Sequence, residues 1–309
     1  MRNAARGSFA ALALVAIVLL VRHAGSDAFV ASLRRALPWM PLLLALEGVR
    51  IGADLISLRS LCGADARRWP LRAWIGLHLE ANAALVVLPG GRAVSEGMKV
   101  ARLSPLVGRG RATALVATQH AATMLTIALA CALGALAARR VAPVLALAMA
   151  IHAGVTLAGA AALRVSLARA KVPRFLAGAT LDELRAAARA LPFLPRAAFA
   201  AKLVNRAAQL AQLAILLHVV GAATGALTAC IATGVTLLGG LLGELSLAQI
   251  GCTDAAFVAA TSALSLGVGG ALAIASLARF VQLTWSAVGS ALSLSSRLRV
   301  RRRVEGSHV

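Results

Sequence analysis

From Ala112 to Leu136, and again from Val141 to Leu163, the chain runs without a single Asp, Glu, Lys or Arg, and the pair Arg139-Arg140 stands between the two runs. At about 1.5 Å per helical residue, either run is long enough to cross a hydrocarbon core of about 30 Å. Two such runs joined by a short basic turn are a membrane pattern. The rest of the chain agrees, being 60% hydrophobic and only 14% charged, against about 25% charged in ordinary soluble chains. The apolar runs lack the alternation of an outer-membrane barrel. The fold class expected is all-α, a polytopic helical membrane protein.

The net charge of +21 would suggest nucleic acid in a soluble protein. Here the Arg residues fall between apolar runs and no basic stretch carries interleaved aromatics, so we expect no nucleic-acid partner. Instead the basic loops mark the cytoplasmic side and meet anionic headgroups. Cys62, Cys131, Cys230 and Cys252 are far apart, and the six histidines are scattered. Neither set has metal-ligand spacing, and no nucleophile–base arrangement stands out. No metal, cofactor or catalytic residue is therefore expected.

Taken in order, Arg2 and Arg6 precede an apolar run from Ser8 to Val21, read as an uncleaved first span or as a signal peptide. His23 to Arg35 reads as a short outside loop, and Leu37 to Leu58 as a second span. That span carries Glu47, Arg50 and Asp54 at i,i+3 and i,i+4, on one helix face. Three charges there must face the bundle, as a cavity wall or as a self-neutralising ion triad. Arg164 to Arg196 is the longest polar stretch, with a surface helix expected over Thr180–Ala190. Phe193 to Val220 carries Asn205, Gln209 and Gln212 on one face, with Lys202 and Arg206 either beside it or snorkelling to the interface. A last span near Ala271–Leu294 holds Arg279, Gln282 and Trp285.

Two segments break this pattern. Leu71 to Leu88 is interrupted by His78, Glu80 and Asn82 and ends at Pro89-Gly90-Gly91, after which Arg92 to Arg102 reads as a short helix closed by Ser104-Pro105. The second break, Leu241 to Asp254, puts Gly243, Glu244, Ser246, Gln249, Gly251, Thr253 and Asp254 between apolar flanks. Polar, glycine-broken backbone at membrane depth is tolerated where it lines a cavity or is buried in protein. Both breaks read as re-entrant broken-helix hairpins; for the first, a full span followed by an interfacial helix is the alternative. With about six full spans, the hairpins enter from opposite sides, as an inverted repeat would produce. The whole chain, 1–309, reads as one transmembrane domain with halves 1–163 and 196–297. A basic cytoplasmic linker spans 164–195 and a basic tail 297–309.

The run A-N-A-A-L-V-V-L-P-G-G-R-A-V-S-E-G-M-K-V-A-R-L resembles a signature of the lysylphosphatidylglycerol synthase transmembrane domain, the flippase-like family. G-E-L-S-L-A-Q-I-G-C-T-D-A-A-F is similar to its second signature, and A-S-L-A-R-F-V-Q-L-T-W-S-A-V-G to its last helix. The resemblance places Asn82, Pro89, Arg92 and Glu96 at the first signature and Gly251, Asp254 and Arg279 at the second. Asp254 stands where the family has Glu, Leu-Ala-Gln replaces its second Pro-Gly-Gly, and Gln119-His120 replaces a Glu-Arg pair. The family implies a bacterial inner membrane, lipid partners with anionic or lipid-linked headgroups, and neighbouring lipid-biosynthesis enzymes. The soluble transferase that some members carry is not expected within these 309 residues.

The function expected is a lipid flippase or lipid-handling transporter with no enzymatic activity. Its cavity would be lined by Glu47, Arg50, Asp54, Asn82, Arg92, Glu96, Arg206, Glu244, Gln249, Asp254 and Arg279, with turns at Pro89, Gly90, Gly91, Gly243 and Gly251. A membrane-embedded lipid-modifying enzyme and an accessory protein with purely structural charges are the alternatives. Both termini are placed in the cytoplasm. A C-terminal green-fluorescent fusion should therefore glow, while a C-terminal fusion to a periplasmic phosphatase should stay inactive. The opposite pair of readings overturns the orientation.

Overall fold

The computed structural model describes residues 26–169, 179–192, 194–222, 224–243 and 251–305, and all of their regular elements are helical. The expected first span, 8–21, lies outside the described residues, as do Glu244, Ser246 and Gln249. The α-helices are α1 Ser26–Ala36, α2 Met40–Cys62, α3 Leu71–Val87, α4 Gly91–Val107, α5 Arg109–Ala138 and α6 Pro143–Arg169. They continue with α7 Ala179–Ala190, α8 Arg196–Val219, α9 Ala226–Leu242, α10 Cys252–Ala259, the single turn α11 Thr261–Leu264, and α12 Val268–Glu305. Three stretches are long and apolar enough to cross a membrane: Arg109–Ala138, Pro143–Leu167 and Val268–Ala291. Ala226–Leu242 is apolar but shorter. Helices α2 and α8 have 23 and 24 residues, yet their charged faces dilute the apolar signal.

Two apolar cores organise the bundle. One gathers Leu43, Met149, Leu213, Leu216, Phe257 and Ile274; the other gathers Leu55, Leu58, Trp74, Leu103 and Leu115. Helix α2 contributes to both, through Leu43 near one end and Leu55 and Leu58 near the other. Helix α8 does the same through Leu213 and Ala198, and α5 through Ala138 and Leu115. Glu47, Arg50 and Asp54 on α2, Lys202 to Gln209 on α8, and Gln119 and His120 on α5 therefore fall in the interval between the cores. That interval is the polar layer.

Each break in the helical pattern folds a helix back on its predecessor. Between α3 and α4 the chain turns at Leu88-Pro89-Gly90, with Gly90 in the left-handed region at φ +61, where glycine avoids the Cβ clash. The next residue is fixed by contact: a Cβ on Gly91 would lie 2.5 Å from both the Ala84 and Leu85 carbonyl oxygens. In the second fold-back, α10 packs on α9, and a Cβ on Gly239 would lie 2.8 Å from Thr253 Cα. Gly251 stands at φ +87, whereas Gly243 has an ordinary φ of −84 that any residue could adopt.

Some boundaries differ from the sequence reading. His23–Arg35, expected as a loop, contains helix α1, because Ser32, Leu33 and Ala36 sit at helical spacing and pack inward. Helix α4 does not stop at Ser104-Pro105 but continues to Val107 and ends at Gly108, φ +85. Pro105 falls in the last turn of α4, where it removes a single helical donor, the one to the Ala101 carbonyl. Ser104 Oγ donates to the neighbouring Val100 carbonyl (2.7 Å). Helix α12 runs on through the basic tail to Glu305.

Residues of the basic linker act as ties. Arg164, 7% exposed, donates from Nη1 to Thr118 Oγ1 (2.7 Å) and from Nη2 to the Leu191 and Pro192 carbonyls (3.2 and 2.9 Å). Glu183 of α7 accepts the Gly110 N–H at 3.0 Å, so a carboxylate meets the positive end of α5.

Gly91→Ala is expected to lower stability by about 1–3 kcal/mol, because the added methyl must push two backbone carbonyls away. Gly97→Ala on the same helix meets nothing within 4 Å and should be neutral or stabilising. Thermal unfolding in detergent, followed by tryptophan fluorescence, checks the pair; equal midpoints would remove the close-packing argument.

Candidate functional site

On α2, spacing alone puts Glu47 and Arg50 in reach, and Arg50 Nη1 donates to Glu47 Oε2 at 2.6 Å. The expected triad does not close on itself. Asp54 turns to α8, where Lys202 Nζ donates to its Oδ1 at 2.7 Å and Asn205 Nδ2 to the same oxygen at 3.1 Å. Lys202 is 4% exposed, so it does not snorkel. Gln212, one turn beyond Gln209, donates to Glu47 Oε2 (3.1 Å) and accepts from Arg50 Nη1 (3.2 Å). Gln119 of α5 donates to the Asp54 carbonyl at 2.7 Å, and Arg206 Nη1 donates to the neutral Gln209. The α2–α8 interface is thus zipped by amides and ion pairs.

Beside this zipper lies a cavity of about 340 Å³. Its polar wall holds Glu47, Arg50, Asp54, Lys202, Asn205, Arg206 and Gln209, with Arg92 from the start of α4, Asn82 from α3, and His120 from α5. His152 and Thr156 of α6 and Gln282 of α12 complete it. Ile51, Leu85, Val86, Met124, Ile127 and Leu237 form its apolar surface. Both fold-backs touch it, through Arg92 at one and Gly240 and Leu241 at the other.

The wall has more donors than acceptors. Both cavity carboxylates are taken up inside the protein, Glu47 by Arg50 and Gln212 and Asp54 by Lys202 and Asn205. Arg206 has no carboxylate partner among the described residues. The Nε atoms of Arg50 and Arg206 and Nδ2 of Asn82 are buried without a hydrogen-bond acceptor. A buried donor left unmet costs about 1–3 kcal/mol, so an anion with several acceptor oxygens, or ordered water, fits this wall. Arginine is suited to an oxyanion because its planar fork offers paired N–H groups.

Of the residues expected to line a cavity, Glu47, Arg50, Asp54, Asn82, Arg92 and Arg206 come together here. Glu96 stands behind the wall, with Oε1 3.2 Å from Lys99 Nζ and 4.0 Å from His120 Nδ1. Asp254 and Arg279 form a separate buried pair, Arg279 Nη1 donating to Asp254 Oδ2 at 3.1 Å. The same oxygen accepts the Gly251 N–H at 2.9 Å and so caps the start of α10. Glu244 and Gln249 lie outside the described residues. Lys202, His120, His152 and Thr156 were not among the expected cavity residues. A lone histidine or threonine in an apolar run gives no sign of the cavity it will meet.

Comparison of the chain with protein-family models, curated proteins and solved structures finds no match.

The side chains of Arg279 and Asp254 are 4% and 3% exposed, so removing one leaves the other charge buried and uncompensated. Arg279→Gln and Asp254→Asn should each destabilise by about 3–5 kcal/mol, and the double variant by clearly less than the sum. Reversible unfolding in mixed detergent gives the cycle; additivity would show that the pair is not coupled.

Proposed function

We propose that the protein is a bacterial inner-membrane lipid-handling transporter of the flippase-like kind, moving a lipid or lipid-linked molecule between leaflets. The observation that carries this reading is the cavity between the two apolar cores, whose lining combines N–H donors with apolar side chains. An amphiphile needs both surfaces: oxyanion acceptors for Arg50 and Arg206, and an apolar path for its tails. The two fold-backs at the cavity support the same reading. Broken helices at membrane depth are found where they are buried in protein or line a cavity, and transporters build substrate sites from them.

In this reading α2, α5, α6, α8 and α12 are full spans. The α3–α4 and α9–α10 fold-backs are re-entrant hairpins entering from opposite faces, related as halves of an inverted repeat. Arg50 and Arg206 hold the headgroup oxyanion by paired N–H groups. Glu47 and Asp54 hold Arg50 and Lys202 in place when the cavity is empty, which avoids leaving bare charge in a low-dielectric interior.

The accessory reading has one observation in its favour, since both cavity carboxylates already have partners within the protein. Leaflet exchange of labelled lipids in proteoliposomes separates the two. Arg206→Gln is expected to slow exchange of an anionic phospholipid at least about tenfold, the effect of losing roughly 1.4 kcal/mol of binding, in protein that inserts and unfolds like the wild type. Wild-type vesicles that exchange anionic, zwitterionic and polyprenyl lipids no faster than empty ones overturn transport and favour the accessory role.

A further inference from the structure

We infer that loading of this cavity with an anionic headgroup is coupled to uptake of a proton by His120, with Glu96 holding the charged imidazole. The inference rests on the lipid-handling reading and adds to it the ion that accompanies the substrate.

His120 is on the cavity wall, and its side chain is 24% exposed. Its Nδ1 lies 4.0 Å from Glu96 Oε1, too far for a hydrogen bond yet close enough for an ion pair once the ring is charged. Glu96 has capacity to spare. Its Oε1 takes the Lys99 ammonium at 3.2 Å, while its Oε2 is buried with no donor. Glu96 Oε1, the oxygen nearest the ring, can accept a second donor beside Lys99. With an imidazole that has no hydrogen bond among the described residues, it makes a proton site half assembled. A small approach of the ring on protonation would complete it.

The surrounding charges set when that happens. Glu96, Arg92 and Lys99 belong to α4 and Lys202 to α8. Gln119, its neighbour on α5, joins Lys99 to the Asp54 backbone. Around the empty cavity the basic side chains Arg50, Arg92, Lys202 and Arg206 outnumber the carboxylates Glu47 and Asp54. An oxyanion seated at Arg50 and Arg206 brings negative charge to the same cavity and tips that balance. The proton comes from the aqueous side onto the imidazole and returns to water when the headgroup leaves. By reciprocity, the proton tightens anion binding by the same factor that the anion tightens proton binding. A proton gradient can then drive the headgroup across.

The test is calorimetric titration of the full chain in detergent with dihexanoyl phosphatidylglycerol, whose phosphodiester charge is fixed over the range in which histidine titrates, about pH 5 to 8. Runs in two buffers of different ionisation enthalpy count protons taken up per lipid bound. The wild type is expected to take up a substantial fraction of a proton per lipid, rising toward about one where the empty site is unprotonated and the loaded site protonated. His120→Gln should lose that uptake whatever affinity it retains, because the count is per bound ligand. Glu96→Gln should shift the uptake to lower pH.

Binding without proton uptake by the wild type at every pH, or full uptake by His120→Gln, overturns this inference and leaves the lipid reading standing. Failure to bind at all overturns both. Glycerophosphoglycerol, the same headgroup without tails, identifies the source of the anion. If it binds with the same proton count, the coupling holds for a free phosphodiester; if only the lipid binds, the tails are part of the ligand.

Discussion

The ion pair between Asp54 and Lys202 is the constraint on which the rest of the arrangement depends. Lys202, its side chain 4% exposed, is a charge that the interior could not hold alone, since transfer of an unpaired ion from water costs several kcal/mol even after relaxation. Asp54, 31% exposed on the cavity, supplies its partner. At 2.7 Å they fix α2 against α8 in one register. A shift by one residue would turn Lys202 away from Asp54 and Gln212 away from Glu47 together, since side-chain direction rotates about 100° per helical residue. Asn205, bridging the Arg50 carbonyl and Asp54 (2.9 and 3.1 Å), adds directional bonds that apolar packing lacks. The apolar cores on either side supply most of the burial but tolerate sliding more readily.

Much of this was legible because helix periodicity is local. The spacing of Glu47, Arg50 and Asp54, and of Asn205, Gln209 and Gln212, identified two polar faces with no knowledge of the fold. That these faces meet was not legible, because nothing in an i,i+4 pattern names its partner helix. Lys202 shows the limit: on α8 it could snorkel or turn inward, and only Asp54, 148 positions away, decides. Glu96 shows the converse. Its motif position suggested the wall, yet the α4 packing that buries Lys99 (6% exposed) sets it one layer behind, with His120 in front.

The glycines follow the same division. Pro89-Gly90-Gly91 was readable as a helix stop because proline and a left-handed glycine act on their own backbone. Gly239 was not, since its role is contact with Thr253 on the returning helix. A glycine in an apolar helix looks the same whether it faces lipid or another backbone. Pro105 misled in the other direction. The proline predicts an end to the helix, but so near the terminus it costs a single helical hydrogen bond, and Gly108 makes the stop.

The polar layer is an expensive way to join two helices. Replacing a buried ion pair by apolar side chains of similar volume is often neutral or stabilising, and the same two cores could have been fused by leucines. A layer meant only for cohesion would also satisfy its own donors, as the α2–α8 amides do. Instead Arg50 Nε, Arg206 Nε and Asn82 Nδ2 are left unmet, and they belong to residues that line the cavity. Unmet N–H groups on three residues that line the cavity are suited to a group with acceptor oxygens. Leu85, Val86 and Leu237 line the same space and set apolar surface beside those donors, the combination on which the lipid-handling proposal rests.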